Sequence, residues 1–185
     1  MKQRDAHDII RDWQTLYCAG SKMPKEFREQ ASMGFFNVYL SNLPEARRLR
    51  YTEKSIYRVI IPDEGPLLYF DDLYYSFSAD VSGVTHFATK DKNTREDIFL
   101  IVARPKEALD FNKICADLFW DAPTKFSCEN EVVSKLSPDN IMAIWYLKHA
   151  EDIQDYAQKG TSIDPADAGL DIKALVNKYK LPIEL

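Results

Sequence analysis

Glycine is scarce in this chain of 185 residues, with 6 in all. None of them builds a Gly-rich phosphate loop, which disfavours both the dinucleotide-binding Rossmann opening and the P-loop. Cysteine is equally sparse. Cys18, Cys115 and Cys128 are odd in number, far apart and without a C-x-x-C, so neither a disulfide framework nor a zinc site is expected. They read as reduced, mostly buried thiols. His7, His86 and His149 share no ligand spacing, so no metal is implied. No stretch approaches the roughly 20 apolar residues of a membrane span, and residues 1–20 lack the apolar centre of a signal peptide. The chain is therefore expected in the cytoplasm, away from membranes. A basic excess is missing too: 24 Lys and Arg against 29 Asp and Glu leave a net charge of -5. Nucleic acid is not indicated as a partner, and the local "EARRLR" reads as the solvated face of a helix.

What is present suits one folded domain spanning residues 1–185, with 45% hydrophobic content. Ile9, Trp13 and Leu16 stand at helical spacing before Gly20, and a second helix follows Pro24 with Phe27, Ala31, Phe35 and Val38 as its stripe. Pro44 opens a shorter basic helix, "PEARRLR". The pattern then changes to strands: "SIYRVII", aromatic stretches across "LLYFDDLYYSFS", the buried run "IFLIVA", and "IMAIWYL". A short helix over residues 79–88, with Asp80 as its N-cap, interrupts them. "KEALDFNKICADLF" is ambiguous between a helical turn and irregular chain, "WDAPTKFS" reads as a loop, and the tail from His149 carries two weakly amphipathic helical stretches around "PADAG". The fold class is α+β, with helices first and short strands after.

Three short patterns carry chemistry. In "SCENEVV", Glu129 and Glu131 project from one side of a strand and repel each other. An exposed edge strand protected by charge explains them, and so does a site that needs one carboxylate for chemistry and another for a cationic partner. Arg58 sits within an apolar strand, where an internal salt bridge, an exposed face or a ligand phosphate gripped by its planar fork would each account for it. In "YYSFS", Ser76 and Ser78 share one face and Tyr75 and Phe77 the other. Small hydroxyls beside a carboxylate can hold its rotamer, and Phe87 in the next helix offers a stacking surface for a flat ligand.

Arginine on a strand, then S-x-S, then E-x-E, in this order, resembles the mono-ADP-ribosyltransferases of the arginine-serine-glutamate class, the small bacterial-toxin and phage type. "YRVIIP" is similar to that family's arginine strand. "YYSFSADVSGVTHFA" is similar to its serine strand running into a helix, and "ALDFNKIC", "ENEVVS" and "NIMAIWYL" to its later elements. The resemblance covers residues 51–147 and departs where Phe77 stands at the centre of a motif that is usually S-T-S. It implies the family's split antiparallel sheet as a core over 51–147, preceded by a helical part, 1–50, and followed by a helical tail, 148–185.

The activity implied is cleavage of NAD, as co-substrate, at the bond between nicotinamide and ribose, with transfer of ADP-ribose to an arginine of a target protein, a host protein if the chain is phage-encoded. The resemblance assigns Glu131 to the reacting ribose, Ser76 to orienting Glu131, and Arg58 to the phosphates, with Ser78 and Phe87 also toward NAD. It assigns Glu129 to the acceptor guanidinium. Trp120 falls where the family places acceptor recognition, and a core aromatic closing a loop explains it equally well. Water or a nucleic acid as acceptor, and a binding module that keeps the fold without chemistry, are the alternatives.

Overall fold

The computed structural model describes residues 8, 12–13, 25–41, 46–53, 55–62, 65–89, 95–118 and 130–183. Among them are five α-helices and seven strands. In chain order these are α1 (Lys25–Ser41), β1 (Ile56–Ile60), β2 (Tyr74–Ser78), α2 (Val81–Thr89), β3 (Glu96–Ala103), β4 (Leu109–Asp110) and α3 (Phe111–Leu118). There follow β5 (Glu131–Lys135), β6 (Ile141–His149), α4 (Tyr156–Lys159), β7 (Thr161–Ile163) and α5 (Ile172–Tyr179). The strands form one antiparallel sheet in the order β4-β5-β2-β1-β3-β6-β7.

The apolar run of β3 follows from its central place, because both its faces are covered and alternation with polar residues is not required. Phe99, Ile101 and Ala103 point to one face, where they join Ile56, Tyr75, Phe77, Val132, Ile144 and Tyr146. The C-terminal segment closes that face with Ile163, Ala168, Ile172, Leu175 and Leu181, in a single cluster that runs under most of the sheet. The opposite face is covered in two pieces. Trp13, Ala31, Phe35, Phe111, Ile114 and Cys115 pack on Tyr74 and Val133 of β2 and β5. Val84, Ala88, Ala150 and Ile153 pack on Val59, Ile98, Leu100 and Leu147 of β1, β3 and β6.

The division between those two pieces falls where the sheet is weakest. β1 pairs with β3 through five consecutive positions and β2 with β5 through five, but β1 and β2 share one registered pair, Tyr57 opposite Ser78. The sheet thus consists of a three-stranded part and a four-stranded part meeting at a narrow joint.

Several expectations change. The basic helix after Pro44 shrinks to a 3-10 turn, Ala46–Leu49, anchored by the buried Leu49. Of the aromatic stretch, Tyr74–Ser78 alone is a strand, while Leu67 and Leu68 donate backbone hydrogen bonds to Leu170 and Ala168 of the tail. The ambiguous segment contains α3, capped by Asp110, whose carboxylate accepts from the Lys113 N–H at 3.0 Å. β5 is an interior strand between β4 and β2, so the edge-strand explanation of its glutamate fails. The tail contains β7, which extends the sheet, besides its helices. Of the predicted first helix, Asp8, Asp12 and Trp13 are described and are helical, and the rest lies outside the described residues; the "WDAPTKFS" loop lies outside them altogether.

Phe99 has no exposed surface and its ring lies 5.7 Å from that of Tyr146 on β6. Replacing it with alanine is expected to cost about 3–5 kcal/mol, the range for emptying a large buried aromatic site. Urea unfolding followed by circular dichroism measures this; a loss below about 1 kcal/mol would show that the site collapses without a cavity.

Candidate functional site: a polar seam between the two parts of the sheet

The register places the motif residues directly. Ser78 lies opposite Glu131, and Ser76 opposite Val133, so both serines and Glu131 project from the same face. Tyr57 opposite Ser78 belongs to that face as well. It is the face whose apolar cover comes in two pieces, and these side chains stand along the parting between them. The seam is therefore polar where the surrounding surface is apolar.

Arg58 is one residue out of step with this set. It rises on the opposite face beside Tyr75, its guanidinium carbon 5.5 Å from the ring centroid. From there its guanidinium turns into the joint, and Nη1 donates to the Ser76 carbonyl at 2.6 Å. Arginine and serine strand do meet, but through the backbone. Arg58 therefore leaves β1 on the face opposite Ser76 and Glu131, and its guanidinium returns to the joint between β1 and β2.

Glu131 is 6% exposed, and its Oε1 accepts a hydrogen bond from Trp13 Nε1 at 3.0 Å. Burial of a carboxylate is costly unless donors surround it, and an indole N–H is a donor with no accepting capacity. Trp13 is itself 1% exposed and meets Phe35 edge-on at 5.1 Å. Trp13, expected only as part of a helix stripe, places its indole on the carboxylate, and Ser78 rather than Ser76 stands in register with it. The signal available in the sequence was the indole of Trp13 itself, a polar atom on an otherwise apolar helix face.

The entrance to β5 is held from β2 and α2. Asn130 adopts a left-handed φ of 46°, which asparagine tolerates better than most residues. Its carbonyl accepts from the Ala79 N–H at 2.9 Å, and its Nδ2 donates to Asp80 Oδ2 at 2.6 Å. The other oxygen of Asp80 accepts from the Gly83 N–H at 2.7 Å in the first turn of α2, so the expected cap is present. Ser78 Oγ donates to the Asp80 carbonyl at 2.8 Å. Asp80 thus fastens the end of the serine strand to the start of the glutamate strand.

Phe87 is half-buried on α2, and the Arg95 guanidinium lies 5.0 Å from its ring centroid, so its expected stacking face meets an internal cation. Glu129 and Trp120 lie outside the described residues. A cavity of about 720 Å³ is lined among others by Phe36, Arg50, Tyr51, Tyr74, Arg104 and Glu107, and among the described residues none of those nominated contributes to it. Among the described residues no three His, Cys, Asp or Glu side chains are grouped to hold a metal ion, and no helix is long and apolar enough to cross a membrane. Cys115 is a buried thiol that forms no disulfide, while Cys18 and Cys128 lie outside the described residues. No protein-family model matches the chain, and no curated protein matches it.

Replacing Asp80 with alanine removes both the helix cap and the tie to Asn130, and is expected to cost about 1–2 kcal/mol in urea unfolding, while Asp80→Asn, which keeps the capping oxygen, costs less. Burial, reinforced by the charge of Glu131, pushes the Cys115 thiol from its ordinary 9.0 up to about 12. Between those values the unfolded chain binds fewer protons than the folded one, so stability present below pH 9 declines as pH rises toward 12. Burial likewise raises the Tyr74 hydroxyl from 10.0 to about 12 and adds to the upper part of that window. Urea midpoints measured across it should fall with pH, and less steeply between pH 9 and 10 in Cys115→Ala; an unchanged slope there would remove the thiol from the explanation.

Proposed function

We propose that this chain is a mono-ADP-ribosyltransferase of the arginine-serine-glutamate type, using NAD as co-substrate and an arginine of a target protein as acceptor, with Glu131 as the carboxylate at the reacting ribose. One observation carries the reading: β5, β2 and β1 are neighbours in the sheet, so three motifs distant in sequence meet beside one joint, with Ser78 in register with Glu131 on one side of it and with Tyr57 across it. The narrow joint also accords with the split sheet that the resemblance implies.

Breaking the bond from ribose C1′ to nicotinamide leaves the electron pair with the departing nicotinamide and positive character on the sugar. A carboxylate held close to that carbon lowers the barrier electrostatically, as in glycoside hydrolysis. An acceptor guanidinium nitrogen then bonds to C1′ and releases a proton. Arginine is protonated at any ordinary pH, so its capture calls for an anion, the role the resemblance gives to Glu129. Ser78 lies directly opposite Glu131, and Ser76, to which the resemblance gives the orienting role, lies two residues along the same face. Arg58 ties β1 to β2 at the Ser76 carbonyl through one of its five N–H donors, and the resemblance gives the guanidinium to the NAD phosphates.

A second reading, a binding module that keeps the fold without the chemistry, is favoured by the cover over Glu131, of which 6% is exposed beneath Trp13. Tagged NAD incubated with cell lysate separates the two. Transfer labels proteins with the wild-type chain, and Glu131→Gln lowers labelling by about a hundredfold or more. Glu129→Ala spares NAD hydrolysis while removing arginine labelling. Equal labelling by wild type and Glu131→Gln withdraws the assignment, and no heat of NAD binding in calorimetry leaves the binding-module reading without this ligand.

A further inference from the structure

We propose that Trp13 is a positioning residue for Glu131, fixing the direction of its carboxylate through the indole N–H; the inference rests on the role given to Glu131 above. The two residues are 118 positions apart and meet through a buried side-chain hydrogen bond of 3.0 Å. Trp13 has little freedom in that contact. Its ring meets Phe35 edge-on, and Phe35 is held in turn by Tyr74 at 5.5 Å and Phe111 at 5.8 Å, each also edge-on. A rigid aromatic cluster therefore sets where the donor points.

The choice of donor matters. A serine hydroxyl can rotate and can accept as well as donate, whereas an indole offers one N–H in the plane of its ring. Such a group holds a carboxylate in the orientation of an acceptor and has no lone pair with which to take a proton from it. The Ser78 hydroxyl, by contrast, donates to the backbone carbonyl of Asp80. Misplacement of a reacting group by an ångström can cost about a hundredfold in rate, so the position of this one indole is expected to be felt in turnover more than in NAD binding.

The test compares wild type with Trp13→Phe, which keeps a ring against Phe35 and removes the N–H. With purified protein and NAD, kcat is expected to fall about 10- to 100-fold, with KM for NAD changed by less than about threefold. In protein labelled with 15N at tryptophan, the indole signal lost in Trp13→Phe should be displaced in Glu131→Gln. Trp13→Ala, which also empties the site, should lose stability as well as turnover. An unchanged kcat in Trp13→Phe overturns the positioning role, as does an indole signal indifferent to Glu131→Gln. If the wild type neither cleaves nor transfers from NAD, the proposed function falls, and with it the positioning role in that reaction, while the indole signal still decides whether the contact exists. Loss of turnover in Glu131→Gln together with normal turnover in Trp13→Phe leaves the function standing and removes this inference alone.

Discussion

A backbone carbonyl that loses its partner in a ladder must find another donor, and at the joint between β1 and β2 that donor is the guanidinium of Arg58. The strands share one registered pair and then part. Across the gap the guanidinium reaches the Ser76 carbonyl with a charge-assisted hydrogen bond and rests near the Tyr75 ring. On one side of the sheet a continuous apolar cluster spans the joint; on the other the cover is divided. The joint is thus held from one face and opened on the other, and the polar seam is a result of that asymmetry.

Buried polar side chains in the described residues have unlike tasks. Ser134 accepts from the Lys106 N–H and donates to its carbonyl, and Asn140 donates to the Arg104 carbonyl, so both secure a loop beside the sheet. Ser78 completes the turn into α2. Glu131 is different in kind, because its bond is to a side chain from a remote part of the sequence and its burial carries the desolvation cost of a carboxylate. Nothing in strand pairing requires a carboxylate at that position. A valine would continue the pattern of Val132 and Val133 at lower cost.

Much of the fold was legible in local pattern. The β-branched and aromatic runs of β1, β3 and β6, the helical stripe of α1 and the cap of α2 each declare themselves within a few residues, and the structure has them there. β7 was missed because "TSI" is short and depends on pairing with β6 for its existence. The 3-10 turn at Ala46–Leu49 escaped for a similar reason: the arginines suggested a helix, while burial of Leu49 decided the geometry. At the site, the shared face of Ser76, Ser78 and Glu131 follows from alternation once the strands are paired. That Arg58 stands on the other face follows from the register of β1 against β2, which no single strand reveals. The indole over Glu131 depends on packing between segments 118 residues apart, beyond any local signal.

Leu175 and Leu181 belong to the same apolar cluster as Ile56 at the start of the first strand. Contacts of such wide separation in the chain are slow to form, because loop closure must come before the contact rewards it. During synthesis, a growing chain can assemble α1 and pair β1 with β3 well before these leucines exist. Throughout that interval this face of the sheet lacks Leu175 and Leu181, which with Ile163, Ala168 and Ile172 are the tail residues that close it. Assembly of this core is therefore a late event, gated by the emergence of α5, and a ribosome that stalls ahead of residue 172 would leave behind a sheet with one naked oily side.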